Sequence, residues 1–324
     1  MRLPTSGIPL LVLILAAVTV VVVGLAGIFG TASVPAAGPV LPNPGPAVAT
    51  PSVSSAQASG QPSTSATPAR PYSSAPPAAR LVWSDDFSGP AGSGPDGGKW
   101  VRDTGGSGFG NQELEYYTTS TRNAALDGNG HLVITARKEN PAGYTCWYGD
   151  CRYTSARLNT SGRFSVRFGH IEAGVKLPRG PGIWPAFWAL GNDIGTVGWP
   201  RCGEIDIMEN VGREPGRNHG SLHGPGYSGR NALTGTYSLP GGQAFADRFH
   251  VFAVDWSPDL VTFSIDGNQY ESRTPADTNG APWVFDHSFF LVLNVAVGGL
   301  FPGSPDASTT FPQQMVVDYV RVYA

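Results

Sequence analysis

Residues 261–267 read VTFSIDG, and this stretch decides the class of fold. Its apolar residues Val261, Phe263 and Ile265 recur at every second position, the period at which side chains alternate across a β-strand. The Asp-Gly pair that ends the stretch is a strong signal for a two-residue hairpin turn. The stretch therefore predicts a half-buried strand that enters a tight turn.

The same alternation recurs through residues 81–324. It is present in HLVITAR (131–137), RFSVRF (163–168) and MVVDYVRVYA (315–324). In the last of these, Val316, Val320 and Val322 are expected to share one face. No segment shows the pattern of an amphipathic helix longer than about three turns. Short strands with Gly-rich loops predict one all-β domain, a β-sandwich or jelly roll of two antiparallel sheets.

Composition excludes two other classes of protein. Charged residues make up 14% of the chain, which also holds 43 Gly and 29 Pro, so a helix bundle or coiled coil is a poor interpretation. The net charge is -3 and no run of Lys or Arg is present, so nucleic acid is not expected as a partner.

The N-terminal part differs in composition from residues 81–324. Residues 8–29 are apolar and long enough to span a bilayer of about 30 Å, and Arg2 precedes them, which predicts that the rest of the chain lies outside the cell. For residues 1–30, a cleaved signal peptide and a retained membrane anchor both stay open. Residues 31–80 are rich in Pro, Ala, Ser and Thr and are predicted to be a disordered linker. The expected location is extracytoplasmic, either secreted or anchored by residues 8–29.

Three cysteines are present. Cys146 and Cys151, in CWYGDC, are expected to close a small loop by a disulfide outside the cytoplasm. Cys202 is left over and is expected to be a small buried side chain.

The most informative segment for function is WPRCGEIDIMEN (199–210), which holds Glu204, Asp206 and Glu209. On a strand, Glu204 and Asp206 project to the same side. Crowded carboxylates raise one another's pKa, so one of them is expected to hold a proton near neutral pH. A retaining glycosidase uses this combination of an ionised and a protonated carboxyl. At this point a metal-binding or solvent-facing acidic strand stays open as the alternative.

The spacing of Glu204 and Glu209 also predicts an irregularity in their strand. Glu209 lies five residues after Glu204, and on a regular strand an odd spacing places two side chains on opposite faces. If both glutamates act together, one extra residue must be absorbed between Asp206 and Glu209. We predict a β-bulge at Ile207 and Met208, with both side chains turned toward the core.

Aromatic residues surround this segment. Trp184, Phe187 and Trp188 lie in PGIWPAFWAL (181–190), and Trp199 follows. Flat aromatic faces suit the C–H face of a sugar ring, although such residues in a β-protein are more often part of the core.

GIWPAFWAL (182–190) followed by WPRCGEIDIMENVG (199–212) resembles the signature of glycoside hydrolase family 16, specifically its laminarinase-like endo-β-1,3-glucanases. The resemblance implies a β-jelly roll whose concave sheet forms a glycan cleft. It extends over most of residues 81–324, through the following segments: WSDDFSG (83–89), GNQELEYYT (110–118), DGNGHLVITA (127–136), YTSARLNT (153–160), FGHIEAGVKLP (168–178), FFLVLNVAVGG (289–299) and VDYVRVY (317–323).

The resemblance implies a role for each carboxylate: Glu204 is the nucleophile, Asp206 its electrostatic helper and Glu209 the general acid/base. It further implies that four side chains line sugar subsites: Asn111, Trp184, Trp188 and His223. Trp199 is a further substrate-binding candidate. No cofactor is expected in catalysis.

Two segments of the sequence are candidates for metal sites. His219 and His223 have the spacing of zinc ligands on a helix, but Gly220, Gly224 and Pro225 make a helix implausible there, so zinc is not expected. The resemblance also implies a structural calcium remote from the cleft, held by the Asp318 side chain and by backbone carbonyls near Gly130 and Asp86. The alternative is that Asp318 is a polar residue on an exposed strand face.

The sequence departs from the family pattern in two segments. His170 and Gly174 stand where basic residues are common, and Leu300 and Phe301 stand where Asn and Trp are usual. Loss of an Arg would remove a donor for sugar hydroxyls, so weaker substrate contacts are expected on that side.

We therefore predict an endo-acting β-glucan hydrolase with a retaining double-displacement mechanism, and a β-glucan polysaccharide or oligosaccharide as its partner. A non-catalytic glycan-binding protein and an envelope-glycan transglycosylase on the same fold are the alternatives. The protein is expected to be monomeric.

Overall fold

The structure, a computed structural model, describes residues 79–324. The expected signal peptide or anchor, and all but the last two residues of the expected linker, lie outside the described residues. Within residues 79–324, no helix is both long enough and apolar enough to cross a membrane.

Strands provide most of the regular structure. In chain order they are β1 (Leu81–Asp85), β2 (Val101–Asp103), β3 (Glu115–Tyr117), β4 (Ala124–Leu126), β5 (Leu132–Lys138), β6 (Thr145–Cys146), β7 (Gly149–Asp150), β8 (Tyr153–Ser155), β9 (Arg157–Asn159), β10 (Gly169–Lys176), β11 (Ile183–Gly191), β12 (Glu204–Asn210), β13 (Arg217–His223), β14 (Leu233–Ser238), β15 (His250–Ser257), β16 (Leu260–Ile265), β17 (Asn268–Arg273), β18 (Phe289–Val297) and β19 (Gln313–Tyr323). The helices are short: α1 (Ile194–Val197) and the 3-10 turns Gly229–Asn231, Pro240–Gly242 and Pro275–Thr278.

Two large sheets pack against each other. The ten-stranded sheet has the order β17-β16-β15-β10-β19-β5-β8-β3, with β1 paired to β19 and β4 to β5. The seven-stranded sheet has the order β14-β13-β12-β11-β18-β9-β2, and β6 and β7 form a small separate ribbon. Among the described strands, all pairs are antiparallel except β3 with β8. The predicted all-β sandwich of two antiparallel sheets is confirmed.

The hairpin predicted from VTFSIDG is confirmed. β16 ends at Ile265, which pairs with Asn268 at the start of β17. The two turn residues have positive φ, +50° at Asp266 and +77° at Gly267, as a type I′ turn requires. The three alternating apolar side chains of β16 are fully buried.

Two strand predictions were wrong. RFSVRF (163–168) is irregular and pairs only at Val166, which bridges Phe289, because Phe168 takes a left-handed conformation with φ of +66° that ends an extended run. On β19, Val317 faces the core instead of Val316. The pairing with β10 shifts by one residue at Asp318, and this irregularity reverses which side chains face inward before it.

The core lies between the two large sheets. The seven-stranded sheet contributes inward side chains from its central strands, for example Phe187, Ile205 and Leu293. Since side chains alternate along each strand, the intervening residues project from the opposite face of this sheet. That outward face holds the candidate site.

Candidate active site

The strand β12 contains the predicted β-bulge. Between Asp206 and Glu209 it advances three residues while its partner β13 advances two. The extra residue is accommodated at Ile207 and Met208, whose side chains are both fully buried in the core. The bulge prediction is confirmed.

All three carboxylates consequently lie on the same side of the seven-stranded sheet. Their partners on β13 are spaced by two residues and so share one face, and directly paired residues lie on the same face. The pairs are Glu204 with His223, Asp206 with Ser221, and Glu209 with His219. We call this outward surface the carboxylate face.

The neighbouring strands extend the carboxylate face. On β11, Trp188 pairs with Asp206, and Trp184 shares the face of Trp188 because the two are four residues apart. On β18, Asn294 pairs with Ala186 and accepts a hydrogen bond of 2.8 Å from Trp188 Nε1. Trp184 and Trp188, both predicted to bind sugar, therefore lie beside the carboxylates.

Glu204 is half-buried and has an indole partner. Trp199 Nε1 donates a hydrogen bond of 2.8 Å to Glu204 Oε2. The Trp199 ring is 47% exposed, and it lies in the connection between β11 and β12. One tryptophan thus both orients the Glu204 carboxylate and presents an open aromatic surface next to it.

Asp206 lies deeper than its two neighbours, at 3% exposure. His223 Nε2 is 3.0 Å from Asp206 Oδ2, although the two atoms are not aligned as a good hydrogen bond. The Gly229 N–H donates to His223 Nδ1, so the neutral imidazole carries its hydrogen on Nε2. Burial, and then the charge of Glu204, raise the pKa of Asp206 well above its usual value. Asp206 is therefore suited to hold a proton against Glu204.

Glu209 is the second carboxyl with a tryptophan donor. Trp184 Nε1 donates a hydrogen bond of 3.1 Å to Glu209 Oε1. Burial, and then the charge of Asp206, raise the pKa of Glu209 well above its usual value, while the Trp184 bond opposes that rise. Glu209 thus holds its proton more strongly than an ordinary glutamate does.

The histidine pair lies on a strand and not on a helix. His219 and His223 lie on strand β13, opposite Glu209 and Glu204 respectively. One oxygen or nitrogen atom each of Glu204, Asp206 and His223 lies within 4.8 Å of the others, and His219 is outside this group. His223 instead contacts the Asp206 carboxylate.

A hydrogen-bonded chain joins Asn111 to Trp188. Asn111 Nδ2 donates to Glu113 Oε1 at 3.2 Å, and Tyr117 Oη donates to Glu113 Oε2 at 2.9 Å. Asn294 Nδ2 in turn donates to Tyr117 Oη at 3.2 Å, while its carbonyl holds Trp188. Glu113 is the common acceptor, so one buried carboxylate orients two candidate sugar-binding side chains.

Glu115 lies beside this chain and is completely buried. Burial, and then the neighbouring charge of Glu113, raise the pKa of Glu115 well above its usual value. Its Oε2 accepts the Val297 N–H at 2.6 Å. A protonated Glu115 lets Glu113 remain the acceptor that Asn111 and Tyr117 require.

Sequence reasoning missed Glu113, Tyr117 and Asn294, together with Arg157. The Arg157 guanidinium lies 4.7 Å from the centre of the Trp188 ring, and Arg157 Nε donates to Asp103 Oδ2 at 2.9 Å. These residues lie within the segments GNQELEYYT, FFLVLNVAVGG and YTSARLNT. The acidic residues of the strand-like segment GNQELEYYT, which has no basic residue, could have indicated a buried polar network. Their hydrogen-bond partners, however, are distant in the sequence.

The departures at Leu300 and Phe301 lie next to the carboxylate face. The Phe301 ring packs edge-on against Trp184 at 5.6 Å and against His219 at 5.2 Å. Leu300 is 59% exposed, and its N–H donates to the Asn111 carbonyl. An aromatic ring is therefore kept where the family usually has Trp.

The expectation that His170 weakens sugar contacts was wrong. His170 lies on β10, in the ten-stranded sheet, and its core-facing neighbour is Ile171. Its ring contacts Asp255 at 2.8 Å and Glu172 at 3.3 Å on the outward side of that sheet. Gly174 lies on the same strand and the same face, so neither position reaches the carboxylate face.

The cysteines separate into two environments. Cys146 and Cys151 form a disulfide across the β6–β7 ribbon. Cys202 packs with Leu190, Phe290 and Val292, and burial raises the pKa of its thiol to about 11. Cys202 is therefore a small buried side chain and a poor nucleophile.

Comparison with known proteins agrees with this geometry. The family model for glycosyl hydrolases family 16 matches residues 112–321. The chain belongs to glycosyl hydrolase family 16. Among family 16 relatives, a β-glucanase from Rhodothermus marinus is 43% identical over 256 residues, which cover 75% of this chain and 84% of the relative.

Solved structures of family 16 enzymes show the same fold. The laminarinase catalytic domain from Thermotoga maritima is 48% identical, with a TM-score of 0.71 over 76% of this chain and 98% of that one. The endo-β-1,3-glucanase from Pyrococcus furiosus is 47% identical, with a TM-score of 0.71 over 76% of this chain and 94% of that one. The predicted resemblance to the laminarinase-like members of family 16 is confirmed.

Proposed function

We propose that this protein is an endo-acting hydrolase of β-1,3-glucan that works by a retaining double displacement. The observation that carries the proposal is the bulge in β12, since it brings Glu204, Asp206 and Glu209 onto one aromatic-lined face. The family 16 relatives named as laminarinases and β-glucanases support the choice of substrate. Asn111, Trp184, Trp188, Trp199 and His223 are the proposed substrate-binding side chains.

In the first step, the Glu204 carboxylate attacks the anomeric carbon while the Glu209 carboxyl protonates the departing glycosidic oxygen. The C–O bond breaks and a covalent glycosyl-enzyme forms. In the second step, the Glu209 carboxylate takes a proton from water, and the resulting hydroxyl attacks the same carbon and releases Glu204. Two inversions give a product of retained configuration.

The groups around the three carboxyls favour the protonation states that these two steps require. The Trp199 N–H stabilises negative charge on Glu204 before attack and after release. Burial keeps the proton on Glu209 until it is needed. Asp206 lies between the two and in contact with His223, and its burial raises its own pKa well above the usual value.

A non-catalytic glycan-binding protein is disfavoured by the same geometry. Burying Asp206 beside two further carboxylates costs free energy, and binding sugar does not require it. A transglycosylase would share the covalent intermediate and differ only in the acceptor that reaches it.

Product analysis tests the proposal. Residues 81–324 with laminarin are expected to release short β-1,3-linked oligosaccharides and new reducing ends, with much slower release from agarose or carrageenan. Products longer than the starting oligosaccharide would indicate transfer, and an absence of new reducing ends from every β-glucan would contradict the proposed function.

The pH dependence tests the role of Glu209. The general acid must be protonated, so kcat/KM is expected to fall as pH rises through the pKa of Glu209. Trp184→Phe removes a donor that favours the ionised form, so this pKa should rise and the basic limb should move upward by about one pH unit. Trp188→Phe is the matched control, since that indole donates to Asn294 instead. Equal shifts in both variants would contradict the assignment.

We also propose a structural calcium, held by the Asp318 carboxylate with carbonyl oxygens near Gly130 and Asp86. Val317 pairs with Leu132 and Val320 pairs with Asp85, so Asp318 lies between the segments that follow β1 and precede β5. It is 1% exposed, so the alternative of an exposed polar residue was wrong. An all-oxygen donor set suits calcium.

The Asp86 carboxylate lies 2.9 Å from Arg321 Nη2, which makes its backbone carbonyl the expected ligand. Adding calcium to EDTA-treated protein should raise Tm by several degrees, because a ligand at about a hundred times its Kd stabilises by about 2.7 kcal/mol. Asp318→Asn should abolish this response, and the exposed Asp306→Asn should keep it. If calcium does not change the Tm of the wild-type protein, the proposed calcium site is wrong.

We further propose that the protein is extracytoplasmic, either secreted or anchored to the membrane by residues 8–29, and that it is monomeric. The Cys146–Cys151 disulfide supports an oxidising compartment. Fractionation of cells and light scattering of residues 81–324 test these points.

A further inference from the structure

Three aromatic side chains are the most exposed in residues 79–324: Trp147 at 50%, Trp199 at 47% and Phe301 at 39%. Large exposed rings mark binding surfaces more often than smaller apolar side chains do. Trp199 donates to Glu204 and Phe301 packs on Trp184, so both adjoin the carboxylate face. Of the three exposed aromatic residues, only Trp147 has no role in the site described above.

Trp147 is held rigidly although half of its surface is open. Its Nε1 donates to the Glu113 carbonyl at 2.7 Å, and its backbone N–H donates to the Gly106 carbonyl at 2.7 Å. The disulfide between Cys146 and Cys151 closes the short loop that contains it. The ring therefore loses little conformational entropy when it binds a ligand.

Close packing beneath the ring explains its orientation. A side chain at Gly108 would approach the Trp147 ring to 2.9 Å, so the indole edge lies directly on that backbone. Tyr148 packs edge-on against the ring at 5.4 Å and donates its hydroxyl to the Leu114 carbonyl. These contacts fix the edge of the indole and leave much of its surface to solvent.

Trp147 is joined directly to the segment that borders the carboxylate face. The residue that anchors its indole, Glu113, also accepts from the Asn111 side chain. The Asn111 carbonyl in turn accepts the N–H of Leu300. A side chain built at Gly299 would lie 3.1 Å from the Asn111 carbonyl and 3.6 Å from Trp184. Glu113 thus joins Trp147 to Asn111, and Asn111 and Trp184 both lie beside Gly299.

We propose that Trp147 is an outer sugar-binding platform, which stacks on a glucose unit of a β-glucan chain whose middle occupies the carboxylate face. This inference rests on the proposed function. A platform remote from the carboxylates contributes binding free energy only when the chain is long enough to reach it. Trp147 therefore sets a preference for polymer over short oligosaccharides.

The test compares KM for laminarin with KM for a β-1,3-linked trisaccharide. Trp147→Ala should raise KM for laminarin about three- to tenfold more than KM for the trisaccharide, since an aromatic contact contributes about 0.5–1.5 kcal/mol. Trp147→Phe, which keeps a ring, should recover part of the preference. Leu260→Ala, which removes an exposed apolar side chain from the other sheet, is the control and should leave the KM ratio unchanged.

A second measurement needs no change at Trp147. Hydroxyl-radical footprinting of the Glu204→Gln variant should show protection of Trp147 by a β-1,3-linked hexasaccharide and not by the trisaccharide. Equal KM ratios for wild type and Trp147→Ala, or an unprotected Trp147 in the hexasaccharide complex, would overturn the platform. Failure of the wild type to cleave laminarin would instead refute the proposed function.

Discussion

Glu204→Gln and Glu209→Gln are each expected to lower kcat on laminarin by about two to four powers of ten. The first removes the group that forms the covalent bond to sugar, and the second removes the proton donor, a contribution of about 10²–10⁴. Both substitutions keep the shape of the side chain and its carbonyl oxygen, which can still accept from Trp199 or Trp184. The fold should therefore be preserved.

Release of reducing ends measures the loss of kcat, and thermal unfolding measures whether the fold is preserved. The matched control is Glu214→Gln, since Glu214 is a partly exposed glutamate that lies just before β13 and pairs with Arg217. This control should retain wild-type turnover. A Glu204 or Glu209 variant with more than about a tenth of wild-type kcat would exclude that residue from the proposed mechanism.

Azide is expected to restore turnover of Glu209→Ala by about a hundredfold on an aryl β-1,3-oligoglucoside with a good leaving group. Such a leaving group departs without protonation, so the glycosyl-enzyme on Glu204 still forms. Azide then attacks this intermediate without help from a general base, in the space left by the deleted side chain. The product should be a glycosyl azide of retained configuration.

The same reagent should act differently on Glu204→Ala. Without a nucleophile there is no covalent intermediate, so azide attacks the substrate directly and gives the inverted glycosyl azide. Proton magnetic resonance of the anomeric centre distinguishes the two products. Retention with Glu204→Ala and inversion with Glu209→Ala would exchange the two roles.

The bulge in β12 was predictable because it depends on spacing alone. Glu204 and Glu209 are separated by an odd number of residues, and only an extra residue can return both to one face. The same reasoning failed at residues 163–168. There Val166 is buried and Phe164 and Phe168 are partly buried, but the positive φ of Phe168 ends any extended run.

The chain of hydrogen bonds around Glu113 could not be predicted. Its hydrogen bonds join residues up to 177 positions apart in the sequence, as in the bond from Asn294 to Tyr117. Hydrogen-bond partners at this separation depend on which strands become neighbours. Likewise, His170 matched a family segment in sequence, yet its strand belongs to the sheet opposite the carboxylates.

The sequence by itself determined the strand period, the VTFSIDG hairpin and the need for a bulge beside the carboxylates, because these follow from backbone geometry within a few residues. Only the tertiary structure decided that Trp184 donates to Glu209 and Trp199 to Glu204, and that burial raises the pKa of Asp206 and Glu209. The register between strands and the depth of each side chain are set by packing of the whole core, which no short segment encodes.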